Sequence, residues 1–384
     1  MSIDTKLIAT VAAASFVWYS FSWAAKNLAP GTSLTNLSNK MSSPFEPTVA
    51  DVLVVKAMLA KALLATSSRL PPEIVDVIVD LAEYWPHTTA ELNDSTIIAR
   101  GNQLSGRSSG DGENVFLLRS PPLGLHSWKR VSQGLNPSPP HKRAPNPRPP
   151  GDEFAPGDFE ELTVSPLTLL AHPCRRIVFT IRSHDQGWGG DMGAQDSYNS
   201  SWTWFEAGLE RWCKNSPAES TPATSIAQED QQKSPPDQQS GDPKEQQPLP
   251  ISLDSLSLNS LSLDTLCTVF PPIEWSSQQN KYTFQHQLNP HEDLKVQCNR
   301  VAIRETLTHR VVWSHTDDIR PDRDSDAEAV TNLATVQGRG KATGDGKFVR
   351  DLKLGDVVTL WAKARFPSWT NNVESVKLEV YYAI

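Results

Sequence analysis

The chain has 384 residues, of which 30 are proline, and only 38% of its residues are hydrophobic. We therefore expect roughly half of it to pack into a folded core. The formal net charge is -8, with acidic and basic residues interspersed. This is the balance of a soluble protein, and it argues against a dedicated nucleic-acid surface.

Four cysteines occur singly, at Cys174, Cys213, Cys267 and Cys298. No pair has the spacing of a redox or zinc motif, and no histidine lies at zinc-ligand spacing, so we predict no metal site. Sparse, widely spaced cysteines are typical of free thiols in a reducing compartment. A bridge between Cys174 and Cys213 stays open if the N-terminus is secretory.

The N-terminal residues 1–40 contain an uncharged segment, residues 7–25, bounded by a lysine on each side. Its length is close to the ~20 residues that a membrane-spanning helix needs, so we favour a single-pass anchor and a membrane localisation. A signal peptide cleaved near 22–24 is one alternative. A cytoplasmic chain that starts at Met41 is the other.

Residues 41–100 are predicted to form a helical hairpin. Apolar residues recur at helical period between residues 49 and 64, without Gly or Pro. A second helix is expected to begin at Pro71 or Pro72 and to end at residues 85–86, where Trp-Pro stops it.

The string Leu70–Leu81, Leu-Pro-Pro-Glu-Ile-Val-Asp-Val-Ile-Val-Asp-Leu, resembles the opening helix of F-box domains. Those domains dock on a scaffold subunit of ubiquitin ligases. The resemblance implies four partner-binding residues: Leu70, Pro71, Ile74 and Ile78. It stops there, because residues 87–112 are polar and glycine-rich and do not supply the remaining helices of that domain. Taken alone, the string is an amphipathic helix with proline at its start.

Two stretches are predicted to lie outside the folded core. Residues 101–161 read as linker, Pro-rich from 132 to 158, with one short strand near 115. Residues 213–280 read as a disordered, low-complexity insertion, which contains a serine–leucine repeat at 251–264. Such an insertion between two strands is tolerable because loop-closure entropy rises slowly with length.

Residues 162–212 and 281–384 are predicted to form one interrupted antiparallel β-sandwich, jelly-roll-like, in a mainly β fold class. Short apolar runs separated by turn residues predict its strands, at 177–181, 202–205, 282–284, 295–298, 306–313, 356–364 and 377–382. No helical pattern is expected between them. Gly338–Lys347 is predicted to be a hairpin loop because its glycines fit neither phosphate-binding spacing.

Four blocks in this region resemble a family of uncharacterised fungal β-sandwich proteins: Arg176–Gly190, Ser201–Phe205, Trp361–Trp369 and Val380–Ala383. The likeness spans most of the two sandwich segments and also touches residues 70–89. It implies a fold and no established activity, so no catalytic residue and no cofactor follow from it.

Two loops are expected to carry ligand-binding residues. The first combines a histidine, a carboxylate, an amide and an aromatic face with permissive glycines, and the second is a Pro-containing aromatic loop. The predicted ligand-binding residues are His184, Asp185, Gln186, Trp188, Arg365 and Trp369. If both loops lie at the same end, they form one cleft for a small polar or glycan ligand or a protein partner. The alternative places Trp188 at the edge of the core.

Trp202 and Trp204 lie two residues apart and are expected to share one sheet face, as core or as a stacking platform, with core favoured. The chain has no nucleophile elbow, and its other histidines are scattered. The predicted function is therefore non-enzymatic binding through a Trp-lined sandwich surface. The alternatives are a ubiquitin-ligase substrate adaptor and a secreted lectin-like protein or hydrolase.

Overall fold

A computed structural model of the chain describes residues 46–61, 70–93, 97–101, 112–125, 142, 144–155, 157–159, 171–191, 193–214, 266–320 and 322–384. The helices are α1 (Val49–Lys61), α2 (Pro72–Leu81), α3 (Ala327–Thr335), α4 (Ala342–Asp345) and α5 (Lys347–Asp351). The strands are β1 (His87–Leu92), β2 (Ile97–Arg100), β3 (Asn114–Arg119), β4 (Cys174–His184), β5 (Thr203–Trp212), β6 (Leu266–Phe270), β7 (Ile273–Ser276), β8 (Lys281–Phe284), β9 (Lys295–Cys298), β10 (Leu307–Ser314), β11 (Val357–Ala364) and β12 (Thr370–Tyr382).

Within these residues, two five-stranded antiparallel sheets face each other. The first has the order β1-β12-β4-β10, and β2 pairs with the early part of β12. The second has the order β3-β11-β5-β6, and β9 pairs with β5. A separate hairpin joins β7 to β8. The predicted mainly β, antiparallel fold with a small N-terminal helix pair is confirmed.

Strands from both sides of residues 215–265 pair with one another, β4 with β10 and β12, and β5 with β11. Alternate residues of these strands point into the space between the sheets, as the period of two requires. The inward set includes Ile177, Phe179, Ile181, Phe205, Ala207, Leu209, Val358, Leu360, Ala362, Val376, Leu378 and Val380. Burying a large aliphatic or aromatic side chain of this kind contributes about 1.5–3 kcal/mol.

The prediction that residues 41–100 are a helical hairpin is wrong for residues 87–100, which contain β1 and β2. Both strands pair with β12, which begins at Thr370 and is longer than predicted. Their buried residues are small or few, Ala90, Leu92 and Ala99. Such short polar strands are stabilised mainly by a neighbouring strand, so local sequence does not reveal them.

Between β10 and β11 the chain forms α3, α4 and α5, where no helix was predicted. The hairpin-loop interpretation of Gly338–Lys347 is therefore wrong. Gly346 joins α4 to α5 at φ 64°. A Cβ at this position would lie 2.7 Å from the carbonyl oxygens of Ser314 and Asp317. The glycine serves this close approach, which only a residue without a side chain permits.

The predicted disordered insertion, 213–280, extends too far, because residues 266–280 contain β6 and β7. β6 pairs with the end of β5. The serine–leucine repeat lies outside the described residues. Part of the predicted linker, residues 144–155, runs along the same edge, and we call it the 144–155 strap. Its Arg148 carbonyl accepts from Thr268 N–H at 2.9 Å, and its Asp152 carbonyl accepts from Lys214 N–H at 2.7 Å.

The helix pair is fastened to the first sheet. Val75 and Val79 of α2 are buried. The Asp80 carboxylate accepts hydrogen bonds from Trp85 Nε1 and from Arg175 Nε, each at 2.8 Å. Trp85 itself is buried. These contacts fix α2 at the start of β4.

Among the described residues, each helix is too short or too polar to cross a lipid bilayer. The predicted anchor at 7–25 lies outside the described residues.

Candidate functional site

The two predicted ligand-binding loops lie side by side at one end of the first sheet. The Gln186 Oε1 atom accepts from Thr370 N–H at 3.2 Å, which ties the first loop to the second. Asn372 Nδ2 donates to the Asp185 carbonyl at 3.0 Å. Trp188, on the first loop, is 55% exposed. We call residues 184–191 and 366–370 the tryptophan lip.

Asp185 fixes the first loop from its buried side. It is fully buried, and its carboxylate accepts from the N–H groups of Gly187 at 2.7 Å, Ala302 at 2.6 Å and Ile303 at 3.1 Å. Burial raises the pKa of this carboxyl, and the three N–H groups oppose that rise. The predicted ligand-binding role of Asp185 is corrected, because its oxygens are turned into the fold.

Arg365 is also turned inward. Its guanidinium donates to the Gln287 carbonyl and to Asn114 Oδ1, both at 2.8 Å, and it lies 5.0 Å from the centre of the Trp204 ring. The side chain is 1% exposed, and burial lowers its pKa. The predicted ligand contact through Arg365 is therefore corrected to a structural one.

The remaining predicted residues line the lip, and few of their polar atoms are left to bind a ligand. Gln186 Nε2 donates to the Trp188 carbonyl at 2.7 Å, so its amide is engaged at both ends. His184 is half-buried, with Nδ1 2.6 Å from the Asp185 carbonyl oxygen. Trp369 is half-buried, and its carbonyl accepts from Gly101 N–H at 2.9 Å. Aromatic faces are therefore the main feature that the lip offers.

Trp202 also lies at this end of the sheet, against Phe366 of the second loop. The sequence predicts that it shares one sheet face with Trp204. β5 begins at Thr203, so Trp202 lies before the strand and packs edge-on against Phe366 at 4.4 Å. Trp204 is fully buried and donates to Glu206 at 2.8 Å. The two indoles thus have different environments and form no common platform.

The backbone around the lip adopts left-handed conformations at several non-glycine residues. Ala302, Phe366 and Ser368 have φ of 61°, 64° and 77°. Such conformations cost about 1–3 kcal/mol each and persist only where the surroundings fix them. Because these residues cluster around Trp188 and Trp369, the lip is a candidate binding surface.

Glu46, His87 and Glu379 form the cluster in the described residues that could hold a metal ion, with ligand atoms within 4.8 Å of one another. The ammonium of Lys377 lies 2.9 Å from the Glu379 carboxylate and already supplies a positive charge there. The Tyr381 ring stacks on His87 at 4.7 Å. We interpret the cluster as a charge network across β1 and β12.

A second set of ionisable groups, which the sequence interpretation missed, lies on the outer face of the second sheet. Lys363 is 1% exposed, contacts His286 Nδ1 and lies 3.4 Å from Glu206. Burial lowers the pKa of Lys363 to about 8, against the opposing charge of Glu206. Burial and the same lysine lower the pKa of His286 to about 2. Phe284 of β8 covers the cluster by packing edge-on against Trp361 at 5.2 Å. These groups are enclosed, so we assign them a structural role.

Of the predicted partner-binding residues, Ile74 and Ile78 lie on α2, and Leu70 and Pro71 come just before it. α2 has a second apolar stripe on its solvent side. Ile74, Val77 and Leu81 are 44%, 48% and 59% exposed, at the i, i+3 and i+7 positions of one face. Ile78 and Leu70 are half-buried and Pro71 is exposed. Val77 and Leu81 are not among the positions that the F-box resemblance implies, and their exposure depends on how α2 packs. We call Ile74, Val77, Ile78 and Leu81 the α2 stripe.

Two surfaces therefore stand out, the tryptophan lip and the α2 stripe. Each exposes large apolar side chains on a backbone that buried polar contacts hold in place. No protein-family model, curated protein or solved structure matches the chain.

Proposed function

We propose that the chain is a non-enzymatic binding protein whose tryptophan lip stacks on the ring of a small polar ligand, of which a sugar is the best fit. One observation carries the proposal. Trp188 is 55% exposed on a loop that the buried Asp185 holds from below. A large aromatic side chain is usually buried in a sandwich, so a fixed, exposed indole favours recognition over packing.

The composition of the lip supports a stacking ligand. Because Asp185 and Arg365 are turned inward, neither of these two charged side chains is presented at the surface of the lip. His184 and Trp369 belong to the same two loops and are half-buried. Aromatic faces with a few polar edges are the usual lining of a shallow sugar site. We expect weak binding that depends on Trp188.

The test uses the full chain labelled with 5-fluorotryptophan and titrated with soluble oligosaccharides of glucose, mannose, xylose and N-acetylglucosamine. The ¹⁹F resonance of Trp188, identified by its loss in Trp188→Phe, is expected to shift saturably with at least one of them. Trp275, which is 50% exposed on β7, provides the matched control. Its resonance is expected to stay in place, and Trp275→Ala to bind normally. A Trp188 signal unmoved by every oligosaccharide, or unchanged affinity in Trp188→Ala, contradicts the proposal.

A ubiquitin-ligase substrate adaptor is the second candidate, and the α2 stripe favours it. A helix that buries Val75 and Val79 on one side and exposes Ile74, Val77 and Leu81 on the other is suited to a groove on a partner. Ile74 and Ile78, two of the partner-binding residues that the F-box resemblance implies, lie on this same face. Residues 87–92 form β1 instead of a further helix, so docking would depend on α2.

The adaptor role is tested by pull-down of the purified full chain with the purified ligase scaffold subunit. Binding by the wild type that is lost in Ile74→Asp supports the role. Val54→Asp is the matched control, because Val54 is 56% exposed on α1 and lies outside the resemblance. We expect it to bind as the wild type does. Absence of wild-type binding, or equal loss in both variants, rejects the adaptor role.

A further inference from the structure

Cys213 and Cys267 lie next to each other where the chain leaves and re-enters the second sheet. Arg211 pairs with Cys267 and Trp212 pairs with Leu266. Cys213 is two residues beyond Arg211 and therefore diagonal to Cys267 on the same face of the ladder. Each thiol is the main influence on the pKa of the other. All of residues 215–265 lie between them in the sequence.

The 144–155 strap encloses this pair from outside. The thiols belong to residues that are 3% and 2% exposed. Gly151 N–H donates to Cys213 Sγ at 3.4 Å, and Glu153 forms an antiparallel bridge with Cys213. These contacts hold the Cys213 sulfur in place against its neighbour.

The surroundings also distinguish the reactivity of the two sulfurs. The hydrogen bond from Cys267 lowers the pKa of the Cys213 thiol to about 7, against the opposing effect of burial, and the same contact raises the pKa of Cys267. Cys213 is thus the better nucleophile near neutral pH. Burial raises the pKa of Cys174 to about 12 and that of Cys298 to about 11, so both are poor nucleophiles.

We propose that Cys213 and Cys267 are a redox pair that forms an intramolecular disulfide, which closes residues 214–266 into a covalent loop. Glutathione disulfide serves as the oxidant. The Cys213 thiolate attacks one of its sulfurs and releases one glutathione. The Cys267 thiolate then attacks the Cys213 sulfur of the mixed disulfide and releases the second glutathione. The two cysteines lose two protons and two electrons, and glutathione disulfide takes them up.

This pairing replaces the Cys174–Cys213 bridge that the sequence left open. Cys174 begins β4 in the first sheet, where it pairs with Tyr382, while Cys213 follows the last strand residue of β5 in the second sheet. The strand register brings Cys267 to Cys213 and leaves Cys174 in a different layer. The partner of Cys213 is therefore set by the β5–β6 pairing.

The test uses the full chain with a site-specific protease sequence inserted after residue 240. The protein is incubated with glutathione disulfide, its remaining thiols are alkylated, and the chain is cleaved at the inserted site. The proposal expects the two pieces to migrate together without reductant and to separate with it. Peptide mass spectrometry is expected to show the Cys213–Cys267 linkage.

The matched variants are Cys213→Ser and Cys267→Ser, each expected to release two separate pieces without reductant, and Cys174→Ser/Cys298→Ser, expected to stay linked. Separate pieces from the oxidised wild type overturn the proposal even if no variant folds. A linkage through Cys174 or Cys298 overturns it as well.

Discussion

Asp185 and Arg365 carry charges that are hydrogen-bonded to groups within the fold. The Asp185 carboxylate fixes three backbone N–H groups around the first lip loop. Arg365 links β11 to the Gln287 carbonyl and to Asn114 at the start of β3. Trp188 keeps its exposure because Asp185 determines the path of the loop beneath it. At this scale, the charged residues build the lip and the aromatic residues form its surface.

The anchoring role of Asp185 predicts a specific loss of stability. In Asp185→Asn, an NH₂ group replaces one carboxylate oxygen and must face a backbone N–H, whichever way the amide is turned. We expect the free energy of unfolding to fall by about 1–3 kcal/mol, measured by urea unfolding. Asp191→Asn, at an exposed position of the same loop, is expected to change it by less than about 0.5 kcal/mol. Equal effects in the two variants would contradict the anchoring role.

His309 predicts a pH dependence of stability. It is 8% exposed, and burial, with the nearby charges of Arg339 and Arg300, lowers its pKa to about 4. Because the pKa is lower in the folded chain than the usual value of about 6.5, the neutral ring contributes stability above pH ~6.5. That contribution is lost as pH falls through 4, and its upper bound is about 3 kcal/mol.

The variant His309→Gln cannot gain this proton. Between pH 6.5 and 4, its free energy of unfolding is expected to fall less than that of the wild type, by about 1–3 kcal/mol. Urea unfolding at four pH values across this range measures the difference. His172→Gln, at an exposed histidine, is expected to follow the wild-type curve. Parallel curves for His309→Gln and the wild type would refute the burial argument.

Among the elements, β2 offers the sharpest check of strand orientation. Ala99 is fully buried and its neighbour Ile98 is 39% exposed, as alternate faces of one strand require. Ala99→Asp places a carboxylate in the core, so we expect a loss of about 3 kcal/mol or more. Ile98→Asp is expected to cost less than about 1 kcal/mol. Thermal unfolding followed by circular dichroism compares them, and similar losses would mean that the assigned face of β2 is wrong.

The elements that the sequence predicted are those whose own residues specify them. β4 and β11 carry bulky apolar residues at alternate positions, so their pattern identifies them locally. β1 and β2 depend on pairing with β12, and that contact lies far away in the sequence. α4 and α5 are each about one turn long, too short for a periodic pattern.

The residues of the candidate site also differ in whether local sequence reveals their role. The sequence indicated the two aromatic loops and the helix at 72–81, because residue type and spacing are local properties. It could not show that Asp185 and Arg365 are buried, since their partners come from β3 and the segments around residues 287 and 302. For the same reason, Glu206 and Lys363 were not recognised as neighbours.

For the whole molecule, β4 relates the two candidate surfaces to each other. Arg175, near its start, holds α2 through Asp80, and His184, at its end, begins the tryptophan lip. A strand of 11 residues at about 3.3 Å per residue spans roughly 35 Å. The α2 stripe and the lip therefore lie at opposite ends of one rigid strand, far enough apart for separate partners to bind together.

The pairing of β5 with β6 predicts the effect of removing the residues between them. β5 and β6 pair across residues 215–265, so replacing residues 215–264 with a four-residue Gly-Asn turn joins two adjacent strand ends. Shortening this loop lowers the entropic cost of closing it by about 2 kcal/mol, because that cost falls by ~0.6 kcal/mol with each halving of length. We expect the shortened chain to keep its circular dichroism spectrum and to gain up to about 2 kcal/mol in urea unfolding. A Gly-Ser replacement of unchanged length serves as the control and is expected to match the wild type. A shortened chain that fails to fold would show that this segment supplies contacts the sandwich needs.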